Sequence, residues 1–134
     1  MHVLSGGAAA AVVQGVQAEF ETRTGSRIEG TFSAVGMMRD KLLSGAPCDV
    51  IILTQPLIEQ LMASGHVVAG SARSLGRVKT GVAVRSGTPH PPVRTRAELH
   101  AAMSAAKGIY FPDPDKATAG IHFMNVLTAL GLNE

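Results

Sequence analysis

The sequence is short of most of the residue types that announce a specialised chemistry. It has no Trp, one Tyr, four Phe and a single Cys in 134 residues. One cysteine excludes an internal disulfide and any thiolate metal cluster built by one chain. With aromatics at 4% of the residues, a core has to be made from Ala, Val, Leu, Ile and Met. The five His residues show neither His-x-x-x-His nor His-Glu-x-x-His spacing, so no metal is expected. There is no P-loop and no Gly-x-Gly-x-x-Gly, and no cofactor is expected. The longest apolar stretch, Ala8 to Val13, is too short to span a bilayer. The chain opens Met1-His2-Val3-Leu4, without the basic and apolar regions of a signal peptide. As it stands the sequence reads as cytoplasmic; it reads as periplasmic if a leader has been removed.

What is present is a hydrophobic fraction of 46%, enough for a real core and too much for a disordered tail. The 12 basic residues are scattered, and the net charge is +2. Nucleic-acid grooves need clustered cations, so nucleic acid is excluded as a partner.

Apolar runs alternate with helical patterns. His2–Leu4 is a short strand broken by Ser5-Gly6-Gly7. Ala8–Thr24 is a helix with Val12, Val13, Val16 and Phe20 on one face and Gly25 as its stop. Arg27–Phe32 is a strand, and Val35–Ser44 is a helix carrying Met38 and Leu42, closed by Gly45. Asp49–Leu53 contains the continuous run Val50-Ile51-Ile52-Leu53, which fits a central parallel strand covered on both faces. Thr54 and Pro56 introduce a helix to about Ser64, with Pro in the first turn and Gly65 as the stop. After a Gly/Ser/Ala-rich connection, Gly65–Gly76, come a strand Val78–Val84 and a Pro-rich loop Ser86–Val93. Thr95 and Glu98 form a capping-box pattern opening a helix to about Lys107. A strand Ile109–Phe111, the turn Pro112-Asp113-Pro114 and a helix Gly120–Leu130 stopped by Gly131 complete the chain.

This order predicts an α/β fold with mostly parallel sheets flanked by helices. The first strand should lie between Arg27–Phe32 and Asp49–Leu53, with right-handed crossovers. Residues 1–76 form a first lobe and 77–134 part of a second, to which Val78–Val84 and Ile109–Phe111 belong.

Three strand-to-helix junctions are built of small residues: Ser5-Gly6-Gly7-Ala8, Ser33-Ala34-Val35-Gly36 and Ala117-Thr118-Ala119-Gly120. Amide N–H groups at a helix start are free donors at the positive end of the helix dipole, suited to an anion. Ligands of open α/β sheets bind at the carboxyl ends of the strands. The plainer reading of any one junction is a tight turn; three together point to an anion site. Its candidate residues are Ser5, Gly6, Gly7, Ser33, Ala34, Val35, Thr118, Ala119 and Gly120, with Arg39 and His122 at the rim. Arg39 stands one turn into the second helix, and a guanidinium matches a carboxylate bidentately. His122 is suited to hydrogen-bond a ligand or move a proton. For Arg39 the plainer reading is a solvated helix residue, and for His122 a partly buried structural one. Asp113 reads as a turn former, Asp115 and Lys116 as exposed, and Cys48 as a small buried hydrophobe.

Ser44-Gly45-Ala46-Pro47-Cys48-Asp49-Val50 resembles the Gly-Ala-Pro-Ala-Asp-hydrophobic segment of the molybdate-binding proteins, and the ungapped spacing from Phe32 to Gly45 is similar. Asp113-Pro114 followed by Ala119-Gly120-Ile121 is similar to that family's Asp-Pro-x-x-x-Pro-Ala-Gly segment. The resemblance spans the whole chain and implies a type 2 periplasmic-binding-protein fold, a small anionic ligand in a cleft between lobes, and an ABC transporter permease as partner. The family binds molybdate partly through serine hydroxyls in its first two loops. Here Ala8 stands at the first of these positions, and the second loop reads Ser33-Ala34-Val35-Gly36. With at least one hydroxyl gone and Arg39 present, a di- or tricarboxylate is the expected ligand. Some relatives of that family isomerise unsaturated tricarboxylates such as aconitate, which makes an isomerase the alternative to a binding protein. Relatives of the fold are longer and return to the first lobe after the second. The chain is therefore expected to be a fragment, or to be completed as a homo-oligomer.

Overall fold

Three short apolar segments meet as one sheet in the computed structural model, which describes residues 1–115 and 117–133. Strand β1 (His2–Gly6) lies between β2 (Glu29–Ser33) and β3 (Val50–Ile52), parallel to both. The register pairs Val3 with Gly30 and Val50, and Ser5 with Phe32 and Ile52. Side chains alternate across a strand, so Val3, Ser5, Phe32 and Ile52 share one face, while Leu4 and Gly6 point to the other.

Parallel strands need crossovers, and helices supply them. A 3-10 turn (Gly7–Ala9) leads into α1 (Ala10–Thr24), which lays Val13 and Phe20 on the Val3 face in a cluster with Ile28, Phe32 and Ile52. The expected stripe is narrower than predicted. Val12 is 60% exposed and Val16 49% exposed, because the inward line runs Val13, Gln17, Phe20 at helical spacing. Helix α2 (Val35–Leu43) packs against β1 and β2 on the other face, and its Met38 is 0% exposed. Helix α3 (Gln55–Ala63) follows β3, with Pro56 in its first turn and Leu61 buried. The predicted glycine stops all adopt positive φ: 67° at Gly25, 85° at Gly45, 77° at Gly65 and 75° at Gly131. A left-handed residue ends a helix at little cost only when it has no Cβ.

Two compact units divide the chain, Met1–Arg77 and Val78–Glu134. In the second, α4 (Arg96–Ser104) opens with the predicted capping box: the Thr95 side chain accepts from the Glu98 amide, and the Glu98 carboxylate accepts from Thr95 N at 3.0 Å. Helix α5 (Thr118–Leu130) starts two residues earlier than expected. Phe111 and Phe123 meet edge to face, with ring centroids 5.0 Å apart.

Three expectations are corrected. The run 50–53 is an edge strand of three residues with Val50 exposed, not a central strand covered on both faces. The segments Val78–Val84 and Ile109–Phe111 form no strand. A strand exists only with a neighbour to take its N–H and C=O groups, and among the described residues neither segment has one. Most of their side chains face solvent accordingly, Val78 at 83% and Tyr110 at 99% exposure, while Val84 and Phe111 are half-buried. Lys116, expected to be exposed, lies outside the described residues.

Candidate functional site

The carboxyl ends of β1, β2 and β3 bring three helix starts together. Gly6 pairs with Ser33 across the ladder. A methyl built on Gly6 would stand 2.7 Å from Val35 Cγ1 and 3.7 Å from the Ile52 carbonyl oxygen. One on Gly7 would stand 4.0 Å from the Ser33 carbonyl oxygen. The backbone of the first junction thus touches the start of α2 and the end of β3. Gly6 is glycine for room, since its φ of −58° is open to any residue.

These helix starts share an electrostatic trait. The 3-10 turn before α1 is capped by Gly6, α2 by Ala34 and α3 by Thr54, none through a side-chain hydrogen bond. No acidic residue stands in the first turn of any of them. Helix α4 is the contrast, with both a side-chain cap and Glu98 in its first turn. Uncapped first-turn amides keep their donors for solvent or a ligand, and each helix start carries about half a positive charge. Acidic groups lie at the opposite, amino end of the sheet. Glu29 pairs with His2 Nδ1 at 3.2 Å, and Asp49 Oδ2 accepts from the His2 amide at 2.7 Å.

The candidate side chains divide by what they already hold. Ser5 is fully buried and its hydroxyl donates to the Gly6 carbonyl at 2.9 Å, so it fastens the turn from beneath and presents no donor to solvent. Ser33 is half-buried, and its hydroxyl donates to a soft acceptor, Met37 Sδ, at 3.4 Å. Val35 covers Gly6, and Ala34 caps α2 with extended backbone. Arg39 is bound to its neighbour, donating from Nε at 2.9 Å and Nη2 at 2.7 Å to Asp40 Oδ1. Cys48 is half-buried; burial, with the nearby charge of Asp49, pushes its thiol above the ordinary range against hydrogen bonding from the Leu4 and Val50 backbone. That direction favours the neutral thiol over the thiolate.

Sequence reasoning missed two residues. Thr54 opens α3 at the same end of the sheet as Gly6 and Ser33; an apolar run ending in Thr-Gln-Pro was the available signal. Asp40 was missed as the partner of Arg39, although adjacency alone could have raised it.

Thr118, Ala119, Gly120 and His122 belong to the second unit. Ala117 caps α5 without a side-chain bond, and no acidic residue stands in the first turn. Ala117 N donates to Asp113 O at 3.1 Å, and Asp113 Oδ1 accepts from Asp115 N at 2.8 Å, closing the turn. Gly120 is buried where a methyl would overlap the Pro112 and Asp113 carbonyls, whereas Thr118, Ala119 and His122 are exposed.

The carboxyl ends of the strands are where open α/β sheets bind small ligands, and helix starts with free amides suit that use. The model of bacterial extracellular solute-binding proteins matches residues 1–134. This chain belongs to that family. Among curated proteins, it is similar to an aconitate isomerase from Pseudomonas sp., 25% identical over 134 residues covering 95% of this chain and 49% of the relative. A solute-binding chain of this family thus spans about half the length of the curated relative it matches.

Proposed function

We propose that the chain binds a small polycarboxylate at the carboxyl end of its three-stranded sheet, as a first lobe and part of a second of a solute-binding protein. The observation carrying this reading is the contrast in capping. The helix starts at that end have neither a side-chain cap nor an acid, whereas α4 has both. The donors on offer there are backbone amides, which keep their capacity where Ala8 stands in place of a molybdate-type serine and the second loop reads Ser33-Ala34-Val35-Gly36. Three further points favour carboxylate over tetrahedral oxyanion: the loss of at least one such hydroxyl, the guanidinium of Arg39, and the tricarboxylate in the name of the relative.

We assign the ligand contacts in the first unit to the amides of Gly6, Gly7, Ala34 and Val35, the Ser33 hydroxyl and Arg39. In the second unit, we assign anion contacts to Thr118, Ala119, Gly120 and His122 at the uncapped start of α5. The two parts of the chain, 1–76 and 77–134, then serve as a first lobe and part of a second, with a transporter permease or a second copy of the chain as protein partner.

A second reading, isomerisation of an unsaturated tricarboxylate, is favoured by the name of the relative. Such a reaction takes a proton from one carbon and returns one to another, and His122 carries the side-chain type suited to that transfer. Incubation of the chain with cis- or trans-aconitate, followed by chromatography, separates the two readings. Unchanged substrate with saturable binding supports the binding protein; interconversion that His122→Ala abolishes supports the isomerase.

The proposal is tested by thermal shift and calorimetry with citrate, the aconitates, molybdate, tungstate, sulfate and phosphate. A polycarboxylate at about 100 times its Kd should stabilise the protein by ~2.7 kcal/mol. Stabilisation by molybdate with none from any carboxylate contradicts the reading. Arg39→Ala should cost a carboxylate ligand about 1.5 kcal/mol, the lower end for a hydrogen bond to a charged group, since the side chain is partly solvated.

A further inference from the structure

Arg39 stands one turn beyond Val35 on α2, on the same helix face at i, i+4 spacing. Helical side chains lean toward the N-terminus of their helix, and Val35 itself rests over Gly6. The Cα–Cβ bond of Arg39 is therefore tilted toward the start of α2, the end at which Val35 meets Gly6. Its guanidinium is nonetheless engaged. Nε and Nη2, the edge that grips a carboxylate in parallel, both donate to the same oxygen, Asp40 Oδ1, at 2.9 and 2.7 Å. Adjacent helical residues do not ordinarily face one another, so the Arg39 side chain bends aside to reach Asp40. The pair is open to water, with side chains 39% and 64% exposed. An ion pair of this kind is weak and readily exchanged.

We infer that Asp40 is a built-in competitor that occupies the carboxylate-gripping edge of Arg39 and sets the affinity and selectivity of the site. The inference rests on the proposed binding of a carboxylate near Gly6 and Val35. An incoming ligand must displace the Asp40 oxygen or accept the less favourable remaining N–H groups of the guanidinium. A ligand with a single carboxylate exchanges one ion pair for another and gains little. A polycarboxylate exchanges the same pair while its other carboxylates reach the helix-start amides. Asp40 thereby discriminates against small monocarboxylates, and its own charge opposes any anion held weakly.

The test is calorimetric titration with citrate and with acetate of the parent chain, Asp40→Asn, Arg39→Ala, the double variant, and Glu21→Gln. The last removes the same charge from α1 and reports the nonspecific effect of net charge. Asp40→Asn should tighten citrate roughly two- to fivefold, the range of an exposed ion pair, and should raise acetate affinity by a larger factor. The gain should vanish on the Arg39→Ala background, where no edge is left to release. If the parent binds citrate and Asp40→Asn behaves like Glu21→Gln, or the gain persists without Arg39, Asp40 is not a competitor, and the proposed function stands without it. If Arg39→Ala binds citrate like the parent, Arg39 is outside the site and the inference is overturned. If the parent binds no carboxylate, the functional reading fails and the inference falls with it.

Discussion

Single atoms decide how the carboxyl end of the sheet is built. Gly6 leaves space for Val35, and the added methyl of Gly6→Ala would have to displace Val35 Cγ1 from 2.7 Å. Overpacking of this size costs about 1–3 kcal/mol, so a denaturant melt of Gly6→Ala should show a lower midpoint with an unchanged slope. A midpoint equal to the parent's would mean that α2 is not seated on β1 as described. One turn along the same face of α2, Met38 is fully buried, and Met38→Ala should cost about 2–5 kcal/mol. Cys48 gives a chemical test. Its thiol is pushed up by burial, so the neutral form is favoured in the fold. The stability this contributes is present below the thiol's unfolded value and lost as pH rises through the folded one. At pH 8, alkylation of Cys48 by iodoacetamide should be slower than that of a free peptide thiol and should recover in denaturant. Equal rates would place the thiol in open solvent.

At the scale of elements, the first unit was legible in the sequence wherever a pattern and a partner coincided. His2–Leu4, Arg27–Phe32 and Asp49–Leu53 all correspond to strands, in the expected order, because each apolar run finds a parallel neighbour. The strand ends shift by one or two residues, since hydrogen bonding and not hydrophobicity sets them. Val78–Val84 and Ile109–Phe111 carry the same kind of run and form none, because β structure is a property of pairs and a sequence shows only one member. The starts of α1 and α2 were legible as small residues, and Gly6 and Ala34 have no side chain that could cap. At α3 the sequence offers a cap in Thr54, and its absence was not legible, because a cap depends on the rotamer. The capped helix gives the matching prediction. Thr95→Ala removes the acceptor for the Glu98 amide and should destabilise the second unit by about 0.5–2 kcal/mol, read as faster hydrogen exchange in Arg96–Ser104. Unchanged exchange there would mean the capping box contributes nothing.

For the whole molecule, family membership and local geometry agree on the class of function and divide the labour of proving it. The family accounts for a solute-binding scaffold over residues 1–134, and the bare helix starts are the feature on which the proposed negative charge of the solute rests. The chain covers 49% of its aconitate isomerase relative, so that relative's activity is a question for experiment here. Charge is also arranged along the sheet, with Glu29 and Asp49 at the amino end and helix starts at the other. The most direct measurement of the account is therefore positional: titration of the isotope-labelled chain with citrate, followed amide by amide in proton–nitrogen NMR spectra. The account predicts saturable shifts concentrated at Gly6–Ala9, Ala34–Met37 and Gln55, with Glu29 and Asp49 little moved. Saturable shifts centred on the amino end of the sheet, or none at any citrate concentration, would contradict it.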